Sequence, residues 1–164
     1  MPTIKFSDPN YPYPFTSFSF SVEIAVDGVS DNICKASFSE CDGLEMTMDV
    51  KTIRQGGDNA RQIRLTGPVN YGTLTLKRGM TTTFHLWKWF QKMNTQPDLR
   101  ADAAVVMFSP DDASTTLARF ILTRCVPIKL KAPPLNAASG NVAIEEFQLA
   151  YESLRLDDSS DSGG

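Results

Sequence analysis

Phe18, Phe20, Val22, Ile24 and Val26 alternate with Ser19, Ser21, Glu23 and Ala25. This period of two predicts a strand with one buried face. Asp27-Gly28 supplies a turn. The alternation resumes with Leu44, Met46, Met48 and Val50 against Glu45, Thr47, Asp49 and Lys51, predicting a second strand with its apolar side toward the core. Residues 54–62, with Gly56-Gly57-Asp58-Asn59, read as a polar loop. Ile63 and Leu65 resume a strand that Gly67-Pro68 is expected to stop. Leu74 and Leu76 mark another, ending near Gly79.

One helix is predicted. Thr81–Thr83 can cap it, and Leu86, Trp89, Phe90 and Met93 recur at i, i+3, i+4 and i+7 as a single apolar stripe. His85, Lys88 and Lys92 fall on another side. After Pro97 come an apolar run at Val105–Phe108, a turn at Ser109–Asp112 and a long strand from Thr116 to about Val126. Pro127 and residues 129–140 read as a loop. The last strand starts at Val142 and Ile144. Its phase shifts at Glu145-Glu146, which suggests a bulge, and resumes with Phe147, Leu149 and Tyr151. Six to eight strands, one helix and no regular helical crossovers predict a mainly β fold. It is either two packed antiparallel sheets or a β-barrel, with the helix on one side.

Length and charge refine this picture. At 164 residues the chain is one domain with room for a core. Residues 1–14, rich in Pro and Tyr, read as an extended arm, 15–156 as the β domain and 157–164 as a disordered acidic tail. The 16 bases face 19 acids, and Asp157, Asp158 and Asp161 in the tail account for the whole imbalance. The body is divided. Seven acids lie between Glu23 and Asp49 against Lys35 alone. Lys51, Arg54, Arg61, Arg64, Lys77 and Arg78 follow against Asp58 alone. A subunit with acid on one surface and base on another can stack head to tail.

Candidate chemistry is sparse. His85 is the one histidine, which disfavours zinc sites built on several, and it sits on the polar side of the helix with no nucleophile elbow. Glu145 and Glu146, as strand neighbours, point to opposite faces. Gly56-Gly57 lacks the Lys-Ser/Thr of a phosphate loop. Trp87 and Trp89 suit a core better than a stacking platform. Cys34, Cys41 and Cys125 match no metal or redox spacing and read as reduced thiols. Neither a signal peptide nor a membrane span is visible. The expectation is cytoplasmic synthesis, no cofactor, no metal, no membrane anchor and no enzymatic activity.

Four segments together carry a resemblance. They are Val50-Lys-Thr-Ile-Arg-Gln-Gly-Gly-Asp-Asn59, Ile63-Arg-Leu-Thr-Gly67, Tyr71-Gly-Thr-Leu-Thr-Leu-Lys-Arg-Gly79 and Leu86-Trp-Lys-Trp89. Over roughly residues 14–156 the chain resembles the contractile-phage tail tube family, which includes inner-tube proteins of phage-like injection systems. Thr66-Gly67-Pro68 departs from the Pro-Gly that relatives often carry.

The resemblance implies two roughly orthogonal sheets flanked by a helix, a fold shared with the haemolysin-coregulated protein of type VI secretion. It implies homo-hexameric rings stacked into a hollow tube inside a sheath. The implied partners are sheath, baseplate, spike and tube-terminator proteins, with protein cargo in the lumen. The product would be a virion tail or an injection particle. About residues 50–68 would reach the neighbouring ring, which makes Lys51, Arg54, Gly56, Gly57, Asn59, Arg61 and Arg64 the candidate stacking interface. Either Ser19, Ser21 and Glu23 or Glu45, Thr47 and Asp49 would line the lumen. Two alternatives stay open: an initiator ring at the baseplate, and a monomeric β-barrel that binds an anionic polymer through residues 51–78.

Overall fold

The computed structural model describes residues 19–27, 34–36 (backbone only), 38–54, 56–57, 61–80, 82, 84–112 and 114–157. The predicted arm, Asn59, Thr81, Thr83 and all of the tail beyond Asp157 lie outside them. Ten strands and one helix are found among the described residues: β1 (Phe20–Val26), β2 (Cys34–Ala36), β3 (Glu40–Asp42), β4 (Met46–Arg54), β5 (Gln62–Tyr71), β6 (Thr73–Gly79), α1 (His85–Lys92), β7 (Ala101–Phe108), β8 (Thr116–Lys131), β9 (Ile144–Ala150) and β10 (Ser153–Asp157).

All pairings are antiparallel. Strands β2-β1-β7-β8-β9-β6-β3 form one path, β10 joins β8, and β4 pairs with β5 alone. β8 divides the path into two sheets. Its first part pairs with β7 and β10, and Val126–Lys131 pair with β9. The turn between sheets has a visible cause. Ala101 opposes Cys125 while Ala103 opposes Leu122, so Thr123 and Arg124 face Asp102 alone. Arg124 takes φ 52. This bulge bends the strand, and the Arg124 N–H donates to Asp102 Oδ1 at 3.2 Å. β2 and β3 lie at opposite ends of the path, yet only residues 37–39 join them. So short a link spans on the order of 15 Å at most, so the path must curl back on itself as a barrel does.

The inward faces make the core. Val22, Ile24, Leu74, Leu76, Leu86, Leu122 and Leu149 are fully buried, and the Trp89 and Phe147 rings meet at 5.7 Å. The β1 alternation and the helix stripe therefore hold. Leu86 and Trp89 are buried, Phe90 and Met93 are half-buried, and His85, Lys88 and Lys92 are exposed. The helix begins differently from expectation. Phe84, in the left-handed region at φ 48, is its N-cap and makes no side-chain cap bond.

Four boundary expectations fail for physical reasons. β5 runs through Gly67-Pro68 because the pair is accommodated in a bulge. β8 runs through Pro127 to Lys131, with an irregularity between Pro127 and Lys129 that tolerates the missing N–H. No bulge lies at Glu145-Glu146, since β9 pairs with β6 in unbroken register from Ile144 to Ala150. The phase shift arises because Glu145 points inward, where it is 2% exposed. Finally, β4 does not face the core at all.

Candidate assembly interface

β4 and β5 stand apart from both sheets as a two-stranded hairpin. At about 3.3 Å per residue, it projects its tip roughly 25–30 Å from its root. Met46, Met48, Val50 and Ile53 on β4 and Ile63, Leu65 and Val69 on β5 are all large, apolar and exposed, from 39% at Val69 to 61% at Met46. The expected core-facing role of Met46, Met48 and Val50 is thereby overturned. Among the described residues, no other strand or helix covers them.

The register explains how these residues distribute. Met48 opposes Val69 and Val50 opposes Thr66, so Asp49 faces both Gly67 and Pro68. A Cβ on Gly67 would lie 2.9 Å from the Asp49 carbonyl oxygen, so the bulge needs glycine there. The extra residue inverts the faces of β5 on either side of it. Near the root, Met46, Met48, Val50, Val69 and Tyr71 share one face. Near the tip, Ile53, Ile63 and Leu65 share the other. The apolar surface thus crosses from one side of the ribbon to the other along its length.

The root is fixed to the body. Tyr151, 6% exposed, sits where β9 gives way to β10. Its hydroxyl donates to Gly43 O at 2.7 Å and accepts from Glu45 N–H at 3.1 Å. Its ring lies 5.8 Å from that of Tyr71. Gly43 has φ 104, and a Cβ there would come within 1.9 Å of the Thr73 oxygen. Both legs of the hairpin are therefore held by one buried tyrosine.

The predicted interface residues separate in space. Lys51, Arg54, Arg61 and Arg64 are exposed on or beside the hairpin, with Gly56 and Gly57 at its tip. Lys77 and Arg78 belong elsewhere. Lys77 Nζ lies 3.1 Å from Glu40 Oε2, and Arg78 is buried against Glu145, its Nε donating to Oε1 at 2.5 Å. The basic block of residues 51–78 is therefore not one surface. Thr47 and Asp49 are exposed on the hairpin and Glu45 is exposed at its root, whereas Ser19, Ser21 and Glu23 are half-buried along β1.

Glu145 also accepts from Trp87 Nε1 at 3.1 Å, and the Arg78 guanidinium lies 5.5 Å from the Phe38 ring centroid. This cluster joins β6, β9 and α1. It is enclosed rather than facing a cleft.

Cys41, Cys125 and Asp112 depart from their ordinary titration ranges. Burial pushes the Cys41 thiol up to about 11 and the Cys125 thiol up to about 12, with Asp42 and Asp102 adding to the respective shifts. Hydrogen bonds from Ser114 and Thr115 lower Asp112. No group of three His, Cys, Asp or Glu among the described residues could hold a metal ion. An open groove of about 810 Å³, lined by Pro133, Pro134, Leu135, Val142 and Ile144 among others, contains no titratable side chain. Among the described residues no helix is long and apolar enough to cross a membrane.

The profile of the T4-like virus tail tube protein gp19 family matches residues 16–155. Among curated sequences, none matches the chain. Three solved structures share the fold. A chain in the anti-feeding prophage baseplate is 24% identical with TM-score 0.79, covering 90% of this chain and 97% of that one. A chain of the PVC extracellular contractile injection system sheath–tube complex, in its extended state, is 20% identical with TM-score 0.74, covering 88% and 92%. A chain in the anti-feeding prophage tube-terminating cap is 18% identical with TM-score 0.76, covering 95% and 99%.

Proposed function

Because the chain belongs to the T4-like virus tail tube protein gp19 family, we propose that it acts by repetition, as six-membered rings stacked into a hollow tube. The observation that carries this reading is the hairpin. A two-stranded ribbon with apolar residues exposed on both faces is marginal in water. Buried between copies, the same residues become an interface core. The crossing of the apolar surface from one face to the other supports two different contacts, one near the root and one near the tip.

The tip carries Lys51, Arg54, Arg61 and Arg64, while Glu45 is exposed at the root. Residues of opposite sign at opposite ends support axial stacking, with the tip of one ring meeting acid on the next. Gly56 and Gly57 belong to the same projecting segment. Thr47 and Asp49, exposed beside Asn70, are the polar hairpin positions assigned to the lumen; Asn70 Nδ2 donates to Asp49 Oδ2 at 3.0 Å. Sheath, baseplate, spike and terminator proteins are the partners of such a tube, and protein cargo is its content. The same subunit surfaces would serve an initiator ring.

The Arg54→Glu, Arg61→Glu double variant tests the stacking assignment. It is expected to keep its fold by circular dichroism and to form no long tubes by electron microscopy. Long tubes from this variant would refute the assignment.

A further inference from the structure

We propose that residues 157–164 are the acidic partner of the hairpin tip, the tail of one copy lying across Arg54, Arg61 and Arg64 of a copy in the adjoining ring. The proposal rests on the stacking reading above and names the segment that supplies the acid.

The tip is an unmatched cation cluster. Between Val50 and Val69 stand Lys51, Arg54, Arg61 and Arg64 against Asp58 alone. Thr52 opposes Arg64 and Arg54 opposes Gln62, which sets both arginines on one face of the ribbon as diagonal neighbours roughly 7–8 Å apart. Near the tip that face also carries Thr52, Gln62 and Thr66, and no carboxylate among the described residues. Lys51, Arg54, Arg61 and Arg64 are all exposed. None of them forms an ion pair among the described residues, whereas Lys77, Arg78, Arg124 and Lys129 each do. Like charges held side by side repel. A carboxylate shared between them relieves the repulsion and accepts charge-assisted hydrogen bonds. Glu45 at the root supplies one carboxylate, too few for the cluster.

The tail has the complementary composition. Asp157, Asp158 and Asp161 stand among Ser159, Ser160, Ser162, Gly163 and Gly164, with no base and no large apolar side chain. Such a sequence offers nothing to an apolar core and a row of acceptors to guanidinium donors. Its −3 equals in size the +3 of residues 50–69. Tail and hairpin also spring from neighbouring parts of the body. Tyr151, which holds the hairpin root, is followed closely by β10, and β10 runs from Ser153 to the exposed Asp157. That strand carries the chain about 13 Å, and residues 158–164 reach about 25 Å further at full extension. The hairpin extends a similar distance. In a stack, a tip that arrives on the next ring comes within reach of that ring's tails.

The test exchanges the charges between copies. One chain carries Arg54→Glu, Arg61→Glu and Arg64→Glu, and the other Asp157→Lys, Asp158→Lys and Asp161→Lys. Tube yield is read by electron microscopy and sedimentation, with circular dichroism as the fold control. Each chain alone is expected to lose about tenfold or more in tube yield, and their equimolar mixture to exceed both several-fold. The milder Asp157→Asn, Asp158→Asn, Asp161→Asn variant is expected to need about tenfold more protein to assemble at low salt. At about 1 M salt, where exposed charges are screened, it is expected to match the wild type. Unchanged assembly of this neutral variant at low salt overturns the proposal. So does recovery in a chain carrying all six exchanges but not in the mixture, which would place the tail on its own tip. Binding of the wild type to duplex DNA, unaltered when the tail is neutralised, would assign the tip to an anionic polymer and overturn it too. A wild-type chain that forms no tubes under any condition overturns the stacking reading itself, which separates the two failures.

Discussion

Single side chains in this molecule tie its elements together at junctions. Tyr151 uses one hydroxyl to tie the body to Gly43 and Glu45. Glu145 uses one carboxylate to tie Arg78 on β6 to Trp87 on α1. A buried ion pair gains little over an apolar pair, but removing one partner leaves a buried charge unmatched. Glu145→Gln is therefore expected to destabilise the fold by about 3–5 kcal/mol. Replacing Glu145 and Arg78 together by Leu and Met is expected to cost much less. Urea unfolding of the two variants measures both, and equal losses would show that the pair acts only through packing. This ion pair was hidden in the sequence. Glu145 reads there as a break in phase and Arg78 as part of a basic run, because pattern alone treats every charge as exposed.

At the scale of elements, β1 and β4 have the same alternation and opposite fates. Val22 and Ile24 are fully buried, whereas Met48 is 48% and Val50 54% exposed. Period two reports that one face avoids water, not which molecule covers it. That is why the strands, the helix stripe and the sheet class were legible, while Met46, Met48 and Val50 on the hairpin read as core. The β5 bulge was illegible for a related reason. Gly67-Pro68 is a strong stop signal, and only the pairing partner β4 shows that the strand resumes. The contrast is measurable. Met48→Asp is expected to shift monomer stability by no more than about 0.5 kcal/mol and to abolish assembly. Ile24→Ala is expected to cost about 2–5 kcal/mol in the monomer. Denaturant melts and sedimentation separate the two effects, and a large stability loss from Met48→Asp would place that side chain in the monomer core.

For the whole molecule, the charges form two patterns. Acid near the root and base at the tip of the hairpin suit an axial contact. Across β3, β6, β9 and β8 the opposed residues Glu40, Lys77, Glu146 and Lys131 alternate in sign. Neither pattern was visible in a net charge of −3, and only the axial pattern was legible in the order of acidic and basic blocks. The alternating row depends on register, since Glu40, Lys77, Glu146 and Lys131 are far apart in sequence and adjacent only once β3, β6, β9 and β8 pair. The fold was readable because hydrophobic periodicity is local. The interface was partly unreadable because it is built from long-range pairing and from surfaces that a second copy completes.

The most direct test of the central claim is an electron cryomicroscopy reconstruction of the ordered material formed by the purified chain. The expected result is a hollow tube of stacked six-membered rings in which Met46, Met48, Val50, Ile53, Ile63, Leu65 and Val69 are covered by neighbouring copies. An ordered assembly that leaves the hairpin in solvent, or a chain that stays monomeric at every concentration and with every nucleating partner, would contradict it.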